Sequence, residues 1–221
     1  MKIYYWPMYG RGGSLVRMCE EAGVPYEHIS DFPSIASKGS AFGATGANFA
    51  PPMAEINGKL VSQSTAACLF VGKRCGFTSG MDEDMAPQFL ADIIDTFEGG
   101  LNTAKGKGGA ALKAFLESQR WTVLAGNVDR SIQGPFYFGA KPTCVDFFLA
   151  NVVDWNGACF LDRLKSEKGF DALKDYSKIM GVVEGIRALE SYKSNKYGLQ
   201  ICTKPDGSSF ASGDELFADF K

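Results

Sequence analysis

The stretch NFAPPMAEINGKLVSQSTA at residues 48–66 admits few local structures. Pro51 and Pro52 have no N–H to give to a ladder, so they belong at the mouth of a strand rather than inside it. Met53–Ile56 is a short, mainly apolar run, Asn57-Gly58 is the dipeptide of a tight hairpin turn, and a second short apolar segment follows. Gln63 and Ser64 then open a helix-like run, where side-chain and backbone donors can meet a carboxylate. A cis bond between Pro51 and Pro52 would leave the backbone N–H and C=O of Met53 facing outward at a strand edge, which suits an extended peptide. A peptide-like ligand with a free carboxylate fits both halves of the segment. An ordinary hairpin followed by a helix cap fits the same residues.

The rest of the chain narrows the choice. Its 221 residues suffice for one large domain or two small ones with a sizeable core. A net charge of −2 and the lack of a basic block argue against nucleic acid as a partner. The start, MKIYYWPMYGRGG, does not have the make-up of a signal peptide, and no run of 18 apolar residues occurs. The expectation is a cytoplasmic protein with no membrane partner. Six cysteines (Cys19, Cys68, Cys75, Cys144, Cys159, Cys202) are scattered without CxxC spacing, which speaks for reduced, mostly buried thiols and against zinc or a dithiol redox centre. His28 is the only histidine, which excludes a multi-histidine metal site and argues against a His-dependent triad, and no metal is expected.

Periodicity divides the chain in two. Lys2–Trp6 reads as a strand, Ser14–Ala22 as a helix closed by Gly23 and Pro25, and Tyr26–Ile29 as a second strand. Residues 30–50 form a long Gly-, Ser- and Ala-rich loop, followed by the hairpin and a helix from about Gln63 to Arg74. From Asp84 onward the pattern is helical. Helices are expected over about Met85–Thr103 (weakened at Gly99–Gly100), Ala110–Ser131, Cys144–Trp155 and Tyr176–Ser191, with a tail over 204–221 holding one last helical turn. Thr143-Cys-Val-Asp146 is a capping box before an apolar run, a helix-nucleating device. Gly10-Arg11-Gly12-Gly13 lacks the spacing of a dinucleotide fingerprint and the lysine of a phosphate loop. A small α/β domain ending near Gly76, followed by an all-helical domain from Asp84, is the architecture these patterns suit.

Taken together, these segments resemble the cytosolic glutathione S-transferases over nearly the whole chain, which implies an α/β thioredoxin-like domain over 1–76 and an all-α domain over 84–221. NFAPPMAEINGKLVSQSTA resembles the family's cis-proline and Gln-Ser glutathione motif, and YFGAKPTCVDFFLANVVDW resembles its capping-box helix. IRALESYKSNKYG resembles the end of its last conserved helix. YYWPMYGRGG followed by LVRMCEEAG resembles the tyrosine-type classes: sigma, alpha, mu and pi.

The resemblance implies roles position by position. Tyr5 would be the catalytic tyrosine, its phenol donating to the glutathione sulfur. A free thiol titrates near ~8.5, so stabilising the thiolate is the main chemical task. Trp6 and Arg11 would lie against the tripeptide, with Pro51 and Pro52 as the cis pair and Met53 binding the cysteinyl unit by its backbone. Gln63 and Ser64 would hold the γ-glutamyl carboxylate, and Asp95 would reach the γ-glutamyl amine across a homodimer interface. Lys38 is the only basic candidate for the glycyl end. Met8, Tyr9, Phe97 and Leu101 would line a pocket for a hydrophobic electrophile. Between Trp6 and Arg17 the chain is one residue longer than in the tyrosine classes, so Tyr9 competes with Tyr5 for the thiolate-stabilising role. The implied activity is transfer of glutathione, as co-substrate, to small hydrophobic electrophiles in detoxification. An isomerase or peroxidase using the same thiolate, or a non-catalytic scaffold or ligand carrier, are the alternatives.

Overall fold

The first strand is short. In the computed structural model, which describes residues 1–194, 209 and 211–221, β1 spans Lys2–Tyr4 and stops one residue before Tyr5. It leads to α1, Gly13–Ala22, closed by Gly23 at φ 62°, and to β2, Glu27–Ile29. A short helix α2, Phe32–Ala36, starts at Asp31, whose side chain accepts from the Ser34 N–H. The hairpin strands are β3, Met53–Ile56, and β4, Lys59–Ser62, with Asn57 and Gly58 both at positive φ, as the Asn-Gly turn requires. Helix α3, Ser64–Cys75, follows at once.

The sheet order is β2-β1-β3-β4, with β1 parallel to β2 and antiparallel to β3, and β3 antiparallel to β4. Strand pleating sends neighbouring side chains to opposite faces. Ile3, Tyr5 and Ala54 join Leu15, Met18 and Val71 of α1 and α3 in the main core. Tyr4 and Met53 instead pack with Ile35 on the other face. Tyr4 is therefore a core residue, as alternation predicts. Its phenol donates to Glu55 at 3.0 Å and is pushed up to about 12, chiefly by burial.

The second half is helical: α4, Ala86–Ile93; a π-helical turn, Ile94–Leu101; α5, Asn102–Lys105; α6, Gly109–Leu116; and α7, Gln119–Ser131. Then come α8, Cys144–Asn156; a second π-helical turn, Gly157–Leu161; α9, Asp162–Lys168; α10, Ser177–Arg187; α11, Glu190–Ser194; and α12, Asp214–Ala218. The helix expected over Ala110–Ser131 is broken at Ser118, whose hydroxyl accepts from the Trp121 N–H and starts α7 afresh. The expected Tyr176–Ser191 helix is likewise two, α10 and α11. The end of IRALESYKSNKYG, most of the proposed tail before Ala211, and Cys202 lie outside the described residues.

Cys144–Lys168 forms one continuous 25-residue helix, longer than the sequence suggests, and by length and composition it is apolar enough to cross a bilayer. Of its most apolar window 89% is buried inside the protein, so it serves as the core around which the helical half packs. The capping box starts it: Asp146 accepts from the Thr143 N–H at 2.7 Å and also from the Tyr137 N–H at 2.7 Å. The sheet and the helices share this element. Cys144 N–H donates to Phe77 C=O at 2.9 Å, and a Cβ on Gly72 of α3 would lie 2.6 Å from the Cys144 side chain. Arg17 of α1, fully buried, donates to the carbonyl of Ser191 at 2.7 Å and stacks over the Tyr192 ring at 4.4 Å. The α/β domain and the all-α domain expected from sequence are both present, fused along these contacts.

Candidate functional site

Register alone brings three predicted residues into a row. Tyr4 faces Met53 and Met53 faces Ser62, so the next residue along each strand gives Tyr5, Pro52 and Gln63 at one end of the sheet. Strands lie about 4.8 Å apart, so the row spans roughly 10 Å, the reach of a short extended peptide. The Pro51–Pro52 bond is cis.

Tyr5 occupies one end of that row. The loop 10–13 closes over it: a Cβ on Gly12 would sit 2.3 Å from the Tyr5 ring, and one on Gly10 would sit 2.3 Å from its hydroxyl. The glycines are there for this close approach. The hydroxyl accepts a hydrogen bond from the Arg11 backbone N–H at 2.9 Å. Burial pushes its pKa up, with Arg11 acting the other way, so at neutral pH the phenol keeps its proton and can donate it to an anion. Trp6 packs edge-on to the Tyr5 ring at 5.3 Å.

The other end is the N-terminus of α3. Gln63 caps it at φ 77°, a backbone region that costs a side-chain-bearing residue on the order of 1–3 kcal/mol and clusters at ligand clamps. Ser64 is buried and its hydroxyl has no hydrogen-bond partner. An unmet hydroxyl beside the free N–H groups of a 12-residue helix suits an incoming carboxylate. Lys38 places its ammonium 5.8 Å from the Tyr4 ring, on the Tyr4–Met53 face of the sheet. The Arg11 side chain is exposed, as is Asp95 on the first π-helical turn.

Several sequence expectations are corrected here. Met53 is not at a sheet edge: β3 lies between β1 and β4, and Met53 pairs with Tyr4 on one side and Ser62 on the other. Past its end, the cis pair offers carbonyls but no N–H, because both residues are prolines. Tyr9 has its hydroxyl 2.6 Å from the Arg17 guanidinium, in the seam between the two halves, and its ring lies edge-on to Tyr192 at 6.1 Å. Both phenols thus accept one hydrogen bond and keep a proton; Tyr5 differs in lying at the sheet end with Pro52 and Gln63. Phe97 and Leu101 are fully buried, Phe97 against Trp121 of α7, so they belong to the helical core rather than to a pocket wall. Met8 is buried in the main core as well.

The helix surface next to Phe97 carries a residue the sequence reading passed over. One oxygen of Glu98, on the same π-helical turn, is buried without a partner, and so is the Oδ1 of Asn156 at the end of α8. Burial pushes the Glu98 carboxyl up, while Arg11, Asn156 and Lys105 pull it down. Its charge in turn bears on Tyr5. The available signal was one acidic residue inside the apolar run IIDTFEGGL. Among the described residues no three His, Cys, Asp or Glu side chains gather as a metal set would need.

This fold is shared with solved structures. The glutathione S-transferase of Ascaris lumbricoides aligns over 90% of this chain and 97% of its own at a TM-score of 0.64, with 16% identity. Prostaglandin synthase D of Nilaparvata lugens aligns over 90% and 98% at a TM-score of 0.61, with 20% identity. A glutathione transferase homologue from Sulfitobacter, solved with glutathione bound, aligns over 90% and 98% at 0.59, with 16% identity. At these identities the likeness establishes the fold. No protein-family model and no curated protein matches the sequence.

Proposed function

We propose that the protein is a glutathione transferase of the tyrosine type. Tyr5 would donate its phenolic proton as a hydrogen bond to the glutathione sulfur and hold it as thiolate, with the Arg11 N–H fixing the hydroxyl from behind. Gln63 and Ser64 would take the γ-glutamyl carboxylate, the Pro51 carbonyl would accept from the cysteinyl N–H, and Lys38 would face the glycyl carboxylate. The observation that carries the reading is the buried, unpartnered Ser64 hydroxyl at the α3 N-terminus, one row across the sheet end from a tyrosine with a free proton.

Arg11, Glu98 and Asn156 would form the polar wall of the electrophile site. Burial pushes the Glu98 carboxyl up, the direction that suits a proton donor toward co-substrates whose attack leaves an oxyanion, such as epoxides or hydroperoxides. Asp95 would complete the glutathione site of a second subunit in a homodimer, and the setting would be cytoplasmic. The decisive measurement is the ultraviolet absorbance of thiolate as the protein is titrated with glutathione across pH. Thiolate appearing on the protein well below the pH at which free glutathione ionises supports the reading. Absence of glutathione binding sinks it.

A further inference from the structure

The fold brings together two thiols that sequence spacing keeps apart. Cys19 is on the last turns of α1 and Cys75 is the final residue of α3; they are 56 positions apart, yet their sulfurs lie 3.9 Å from one another. Both are free thiols, Cys19 buried and Cys75 half-buried. The surface beside Cys19 dips into a shallow hollow between Gly23 and Tyr26. A disulfide needs a sulfur separation near 2.05 Å, so the pair must close by about 2 Å, within the range of a side-chain rotation.

We propose that Cys75 and Cys19 are a peroxide-sensitive pair, Cys75 the attacking sulfur and Cys19 the resolving one, which closes to a disulfide clamping α1 to α3. The chemistry balances with a hydroperoxide as the oxidant. The Cys75 thiolate attacks the distal peroxide oxygen, the O–O bond breaks, and the leaving oxygen takes a proton as water or alcohol. The Cys19 sulfur then attacks the Cys75 sulfenic acid, the S–O bond breaks, and the hydroxide leaves as water with the Cys19 proton. Two thiols are oxidised and one peroxide is reduced.

The division of labour follows from access: Cys75 is half-buried and open to a peroxide, whereas Cys19 is fully buried. Cys68 and Cys144 are fully buried and serve as internal controls. The pair sits at the ends of α1 and α3 remote from Gly12 and Ser64, so its oxidation is separable from glutathione binding.

The test is a peptide map of the full chain after treatment with hydrogen peroxide, alkylation and digestion without reductant. The expected result is a linked Cys19–Cys75 peptide pair, 2 Da lighter than the two thiol peptides together and split by dithiothreitol, with Cys68 and Cys144 unmodified. In Cys19→Ser the sulfenic acid should persist on Cys75 and be trapped by dimedone. Cys75 carried through to sulfinic acid while Cys19 stays alkylatable, or joined to any other cysteine, overturns the pair. A dimedone adduct on Cys19 in Cys75→Ser, with none on Cys75 in Cys19→Ser, overturns the assigned order. The map on the unmodified chain needs no variant to fold.

Discussion

The Arg11 backbone N–H donates to the Tyr5 hydroxyl across 2.9 Å, and this one bond sets the direction in which the phenol can act. With an acceptor position filled by a main-chain donor, the phenolic proton is turned toward whatever lies on the other side. Replacing Tyr5 by Phe keeps the packing under Gly10 and Gly12 but removes the donor. The expected effect is a 10- to 100-fold fall in kcat, from a charge-assisted hydrogen bond of about 1.5–3 kcal/mol, with glutathione affinity within a factor of about three. Steady-state kinetics with a separate binding titration would show it. Unchanged turnover would remove Tyr5 from the chemistry.

Tyr9→Phe should behave in the opposite way. Its hydroxyl accepts from buried Arg17, so its loss leaves part of a buried cation unmet and lowers stability by about 1–3 kcal/mol. Turnover should stay within a factor of about two. A severe loss of kcat without loss of stability would restore Tyr9 as the catalytic phenol.

Ser64→Ala separates binding from folding. The hydroxyl has no partner inside the protein, so unfolding in urea should show a change of no more than about 0.5 kcal/mol, in either direction. Glutathione affinity should drop about 10-fold, the equivalent of one hydrogen bond to a carboxylate. Equal affinity in variant and parent would mean that the tripeptide carboxylate binds elsewhere.

Gly12→Ala drives a methyl group to 2.3 Å from the Tyr5 ring, whereas Gly46→Ala meets nothing within 4 Å. The first should lower stability by roughly 1–3 kcal/mol and disturb turnover; the second should be silent on both counts. Thermal melts of the two variants side by side make the comparison, and a silent Gly12→Ala would mean that the loop does not close on the ring.

His28, the only histidine, is held neutral by burial, which lowers its pKa to about 4 against the pull of the Tyr5 backbone. The unfolded chain takes up that proton first, near pH 6.5. The contribution of His28 to stability is therefore complete above pH 6.5 and disappears as pH falls toward 4, about 3 kcal/mol in all. The difference in urea stability between the parent and His28→Asn should follow that curve. An imidazole proton resonance titrating near 6.5 in the folded protein would contradict it.

Local rules carried the reading of the sequence a long way. The Asn57-Gly58 turn, the cis pair and the Thr143–Asp146 capping box each depend on neighbours within a few residues, and each is found. What stayed hidden depends on tertiary contacts. Periodicity shows that Phe97 and Leu101 share an apolar stripe but not whether that stripe faces a ligand or Trp121. The π-helical turn that carries Glu98 toward Arg11 has no period of its own. The inner position of Met53 is not written in any local pattern, because it depends on the strand order, with β4 outside β3. The Cys19–Cys75 approach is of the same kind, since spacing rules look for CxxC and cannot see two helices laid side by side.

The Asn151 carboxamide, reaching from the middle of α8, donates to the carbonyls of both Tyr9 and Gly10, at 3.1 and 2.5 Å. The bend that encloses Tyr5 is thus gripped from outside its own half of the chain by a residue 141 positions downstream. The loop around Tyr5 is held in place by the helical half. Exchanging that half for a relative's, even one with an identical shape, would retune the phenol unless the asparagine came with it, so the two parts can diversify only together.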